Sequence, residues 1–155
     1  MHLFCFGTLM DPDIRRLVLG RDLPGAVPAV LPGFRRVCVA EETYPAALPD
    51  PAGRIEGLLI GPISPHERDR VQFFEGFEFA IEDHPVAAAG WTGTALVCVA
   101  TERLACEEEP WHFDDWRRVH KPGYLEAVAV YMAEFERLGI EDAHAVWLES
   151  RVTGR

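Results

Sequence analysis

Leu3-Phe4-Cys5-Phe6-Gly7-Thr8-Leu9-Met10-Asp11-Pro12-Asp13 changes character twice. Residues 3–6 are apolar and too few for a helix, so they read as a short buried strand. Gly7-Thr8-Leu9-Met10 follows as a turn. Asp11 is then an N-cap candidate, Pro12 suits the first helical position, and Gly20 ends the helix. A glycine-bearing turn between strand and helix points backbone N–H groups at any ligand there and favours an anion. The run lacks the Gly-x-x-x-x-Gly-Lys spacing of a phosphate loop, and Asp11 would repel a highly charged phosphate. A single carboxylate fits better. On residue types alone, an ordinary tight turn is the simpler account.

Working outward, Pro24, Gly25, Pro28, Pro32 and Gly33 mark a winding connection, and residues 34–40 read as a strand burying Val37 and Val39. Residues 41–53 are loop-like, with Tyr44-Pro45 and Pro49-Asp50-Pro51, and residues 54–60 resume a strand. Ser64 and Glu67 have capping-box spacing, so a helix starts there, runs to about Phe74 and stops at Gly76. Residues 77–86 and 91–100 read as a hairpin turning near Ala89-Gly90, and 104–111 as an acidic loop. A short helical piece at 114–120 is broken by Pro122-Gly123, and a last helix spans about 124–138, with Leu125, Val128, Met132 and Phe135 on one face. Mixed strands and helices with hairpin links predict an α+β fold on a twisted, partly closed mixed sheet, a small barrel flanked by helices. The chain of 155 residues reads as one domain, with a core at about 2–138 and a C-terminal tail at 139–155.

Composition narrows the function classes. A net charge of −10 argues against nucleic acid, because phosphate contacts need a clustered basic surface. No apolar run approaches the ~20 residues of a membrane helix, and the N-terminus lacks a basic leader, so a cytoplasmic location is expected. The four cysteines (Cys5, Cys38, Cys98, Cys106) are far apart, and Cys5, Cys38 and Cys98, inside apolar strand-like runs, read as reduced core residues. The six histidines are scattered singly, which disfavours a metal site, and neither serine, Ser64 or Ser150, lies in a Gly-x-Ser-x-Gly setting.

The second stretch with chemical content is Phe73-Phe74-Glu75-Gly76-Phe77-Glu78-Phe79. A carboxylate at a helix C-terminus feels the negative end of the helix dipole, and nearby phenylalanines would desolvate it. Both effects raise a carboxyl pKa, as an acid/base group working near neutral pH requires. A solvated last-turn glutamate beside core aromatics is the alternative. Glu78 is the weaker candidate, since strand alternation between Phe77 and Phe79 can point it outward.

In their order along the chain, these features resemble the AIG2-like/γ-glutamylcyclotransferase superfamily. Phe6-Gly7-Thr8-Leu9 matches its N-terminal Tyr-Gly-Thr-Leu loop, and Tyr44-Pro45-Ala46 its middle Tyr-Pro-Ala segment. Arg54-Ile55-Glu56-Gly57-Leu58-Leu59 matches its glycine-bearing strand, and Phe74-Glu75-Gly76 its catalytic Glu-Gly. The resemblance implies conversion of a γ-glutamyl amide or peptide to 5-oxoproline and a free amine, without cofactor or metal. It implies Glu75 as general acid/base and a substrate site at Phe6, Gly7, Thr8, Leu9, Met10 and Tyr44. The partner is then the small γ-glutamyl substrate, with neither nucleic acid nor membrane involved. Phe6, Gln72 and Ile81 stand where the family commonly has tyrosine, aspartate and arginine. They keep open a second reading, a catalytically inactive module of the same fold that binds a small metabolite or a protein.

Overall fold

In a computed structural model of the chain, residues 1–153 are described, the last four of them by backbone only. The strands are β1 (Leu3–Cys5), β2 (Val27–Val39), β3 (Pro45–Ile60), β4 (Phe79–Ala88), β5 (Trp91–Ala100) and β6 (Cys106–Pro110). The helices are α1 (Pro12–Leu19), α2 (Pro65–Glu75), α3 (Phe113–Val119), α4 (Lys121–Met132) and α5 (Ile140–Thr153), with a single 3-10 turn at Thr8–Met10. Strand order β3-β1-β5-β4-β2, with β2 pairing back onto β3, closes a five-stranded barrel, and β6 extends β2 outside it. The expected α+β barrel flanked by helices is therefore the observed fold. Among the described residues only β1 and β5 pair in parallel, with Leu3 beside Leu96, and the other pairings are antiparallel.

Period-two alternation along β1 and β5 divides the core into two layers. Phe4, Phe6, Ala95, Val97 and Val99 fill the barrel interior with Leu31, Ile55 and Leu59. Leu3, Cys5, Leu96 and Cys98 face the other way, against Ile14, Val71, Trp116 and Val128 of the helices. Gly57 allows β3 to lie close over β1, since a Cβ there would stand 2.3 Å from the Cys5 carbonyl oxygen and 2.8 Å from the Phe4 ring.

Several local expectations are corrected. The connection read across Pro28, Pro32 and Gly33 belongs to β2, and most of the loop read at 41–53 belongs to β3. The register of the β2–β3 pair shifts between Pro32 and Phe34, where Gly33 takes φ +84°. The bulge interrupts the ladder beside Pro32, where proline's missing N–H is tolerated. Most of the acidic loop is β6, whose exposed Glu107 to Glu109 run along a free sheet edge and discourage further pairing. The short helix α3 ends at Val119, ahead of Pro122 as expected, but α4 begins at Lys121 and not at about 124, because a missing N–H costs nothing at the first helical positions. That helix ends at Met132, and Phe135 and Leu138 reach the core from the turns that follow. The segment read as a tail after Gly139 forms α5, with Ala143 fully buried.

Candidate active site

The N-terminal turn is fixed from three sides. Asp11 caps α1, its Oδ1 accepting from the N–H of Asp13 at 2.9 Å and of Ile14 at 3.3 Å. Its other oxygen faces Lys121 Nζ at 2.8 Å, which joins the start of α1 to the start of α4. The buried Arg15 guanidinium donates to the carbonyls of Leu9 (3.0 Å) and Met10 (2.8 Å), and Arg36 donates to that of Phe6 (2.9 Å). The N–H groups of Met10 and Asp11 close the turn onto Gly7 and Thr8. Carbonyls are thus held by guanidinium groups, while the opening N–H groups of a helical turn have no partner within it.

Glu75 is the last residue of α2, and three contacts fix this helix end. Gly76 takes φ +76°, which glycine adopts without strain, and its N–H donates to the Gln72 carbonyl. The Gln72 side-chain amide donates to the carbonyls of Gly76 (3.1 Å) and Phe79 (3.3 Å). Tyr131 Oη on α4 donates to the Phe73 carbonyl at 2.6 Å. That carbonyl is among the last of α2 and would otherwise be orphaned.

These two fixed pieces line one cavity, with a volume of about 70 Å³, between the outer face of the barrel and the helices. Phe6, Gly7, Thr8 and Leu9 line it on one side, Glu75 and Glu78 on another, and Cys5 and Cys98 stand on the sheet behind. Tyr44, Tyr124, Tyr131, His144 and Trp147 complete the wall. Met10, grouped with the turn on sequence, lies elsewhere: it lines a separate surface depression with Arg36 and Glu56. No lysine or arginine is among the described residues lining the main cavity. Among the described residues, no group of three or more His, Cys, Asp and Glu has a metal-binding arrangement.

The electrostatics follow from this enclosure. Glu75 keeps some exposed surface because it faces the cavity, yet protein surrounds that cavity. Desolvation therefore raises its carboxyl pKa from 4.5 to about 8, against the opposing pull of the hydrogen-bonding Cys98 thiol. Burial likewise raises Cys5 to about 12 and pushes Cys98 up, so both thiols stay protonated and unreactive. Tyr131 rises to about 12, from burial first and the Glu75 charge second, and Tyr124 is shifted in the same direction. Thr8 Oγ1 lies 3.5 Å from Tyr124 Oη, the outer limit of a hydrogen bond.

The sequence profile of the family described as gamma-glutamyl cyclotransferase, AIG2-like, matches residues 3–118. The chain belongs to this family. Among curated relatives, AIG2-like protein D of Arabidopsis thaliana is 29% identical over 140 residues, spanning 86% of this chain and 91% of the relative. AIG2-like protein B of the same plant is 28% identical over 136 residues, spanning 84% and 77%. A solution structure of an Arabidopsis thaliana protein superposes with a TM-score of 0.61 at 22% identity, covering 90% of this chain and 93% of that one. A structure named as a gamma-glutamyl cyclotransferase superposes at 0.54 with 15% identity, covering 94% and 85%. At such identities the superpositions establish the fold this family member shares.

Sequence reasoning left Cys98, His144 and Trp147 out of the site and did not assign Tyr124 or Tyr131 to it. Alternation along β5 signals that Cys98 is buried, but only barrel closure decides that it sits beside Glu75. For α5, the signal was Trp147 in a helix-forming stretch after Gly139.

Proposed function

We propose that this family member converts a γ-glutamyl amide to 5-oxoproline and a free amine, with Glu75 carrying the proton. The supporting observation is a glutamate whose pKa is raised to about 8 in a cavity shared with the turn residues Gly7, Thr8 and Leu9. In this reading the substrate's α-carboxylate lies against the opening N–H groups of the turn, those of Gly7, Thr8 and Leu9. The α-ammonium lies toward Glu75 and gives up a proton to it. The freed amine nitrogen then attacks the γ-carbonyl carbon, closing a five-membered ring, and the bond to the departing nitrogen breaks. Glu75 returns its proton to that nitrogen, which leaves as the amine, and the ring nitrogen's surplus proton passes to water, leaving the lactam N–H. Attacking and attacked groups belong to one molecule, so holding it folded supplies much of the rate. A carboxyl with a pKa near ambient pH both accepts and donates readily.

Glu75→Gln tests this reading. 5-Oxoproline release from a γ-glutamyl amide falls by at least about 10²-fold, with the far-UV circular dichroism unchanged. Undiminished turnover in the variant removes Glu75 from the role. Free glutamate as product identifies a hydrolase instead, and tight binding without product a binding module.

A further inference from the structure

The cyclotransferase reading leaves the amine half of the substrate unassigned, and the wall that the C-terminal helices add to the cavity bears on it. The family match ends at residue 118, whereas Tyr124, Tyr131, His144 and Trp147 all come from later in the chain. Trp147 meets Tyr124 and Tyr131 edge to face, with centroids 5.7 and 5.8 Å apart and planes at 78° and 80°. His144 meets Phe77 in the same way at 5.0 Å and 75°. Contacts of this geometry hold each ring in a set orientation. Phe77, His144 and Trp147 are all only partly buried, and all line the cavity.

This wall also marks the way out. Glu78 and His144 line both the cavity and an adjoining surface depression that contains Leu148 and Arg103. With the glutamyl head at the turn and Glu75, the departing amine points toward the aromatic side. The charge there is one-sided, because Glu78 stands in the wall and no lysine or arginine does, among the described residues. Arg103 lines only the outer depression, with its guanidinium 5.5 Å from the Phe77 ring centroid. A carboxylate on the amine half would thus meet Glu78 without a counterion inside the cavity. A flat, uncharged ring would meet ring faces and edges.

We propose that the amine half of the substrate is a neutral arylalkylamine seated against α5, with Trp147 and His144 as its specificity-determining contacts. This rests on the cyclotransferase reading, and a three-substrate panel separates the two. 5-Oxoproline release is measured from the γ-glutamyl amides of phenethylamine, propylamine and phenylalanine, the last adding only a carboxylate to the first. The expected kcat/KM for the phenethylamide is about tenfold or more above the propylamide, the gain of burying one ring. It also exceeds that of the phenylalanine amide by about tenfold. In Trp147→Ala the ratio of phenethylamide to propylamide falls toward one, and in Trp147→Phe most of it returns. Equal rates on all three substrates, or preference for the phenylalanine amide, overturn this inference and leave the reaction standing. No 5-oxoproline from any of them overturns both.

Discussion

Glu75 is the residue at which stability and chemistry pull in opposite directions. Its pKa is raised from 4.5 to about 8 by desolvation, so the fold prefers its neutral form. Below pH 4.5 folded and unfolded chains both hold the proton and the group is neutral to stability. As pH rises toward 8 the unfolded chain ionises and the folded one resists, so stability is lost across that window. The expected loss from this group between pH 5 and 9 is on the order of 3 kcal/mol. Thermal melts across that range should show it as a falling Tm. In Glu75→Gln that contribution to the slope disappears, and the variant melts higher than wild type at alkaline pH. A wild-type slope that survives the substitution unchanged would contradict a buried Glu75 carboxyl. In the proposed reaction the proton acceptor is the ionised form, so kcat/KM should rise with pH to a midpoint near 8 in the free protein.

At the scale of elements, the position of Glu75 depends on how α2 ends. A helix leaves its last carbonyls unpaired, and here the neighbouring helix α4 satisfies one of them through Tyr131. Tyr131→Phe keeps the ring stacked on Phe73, whose centroid is 4.7 Å away, and removes only the hydroxyl. The expected cost is about 1 kcal/mol, read as a drop in Tm of a few degrees. At its other end α2 carries a complete capping box: the Ser64 hydroxyl accepts from the Glu67 N–H at 3.1 Å, and the Glu67 carboxylate accepts from the Ser64 N–H at 2.8 Å. The same carboxylate is bound by Arg21, which ties the cap to the segment after α1. Ser64→Ala should therefore also cost about 1 kcal/mol. As Ser64 is remote from the cavity, the pH midpoint of kcat/KM should not move.

For the whole molecule, the two core layers share β1 and β5. Phe4 and Val97 point into the barrel and Cys5 and Cys98 toward the helices, so neither layer can be stripped away without exposing the other. Helices and barrel should therefore unfold together. Far-UV circular dichroism and tryptophan fluorescence are expected to report one coincident denaturant transition, although Trp91 packs with the barrel and Trp111, Trp116 and Trp147 with the helical layer. Two separated transitions would show the layers to be independent units. The cavity lies on the seam between the layers, which explains why it draws residues from strand, turn and three helices.

Chain-local signals determined much of this protein. The Asp11 cap and Pro12 start of α1, the Ser64–Glu67 box, the glycines that end α1 and α2, and the hairpin across Gly90 are readable because each satisfies its own backbone within a few residues. The pairing of a turn with Glu75 was likewise visible as ordered motifs. Tertiary structure decided whatever needs a distant partner. Periodicity tells that Cys98 and Val128 are buried but not against what, and Pro32 reads as a breaker until the bulge beside it interrupts the ladder. The enclosure of Glu75 is of the same kind. Desolvation comes from every group that excludes water, and here those groups arrive from β1, β5, α4 and α5, brought together only when the barrel closes and the last helix docks.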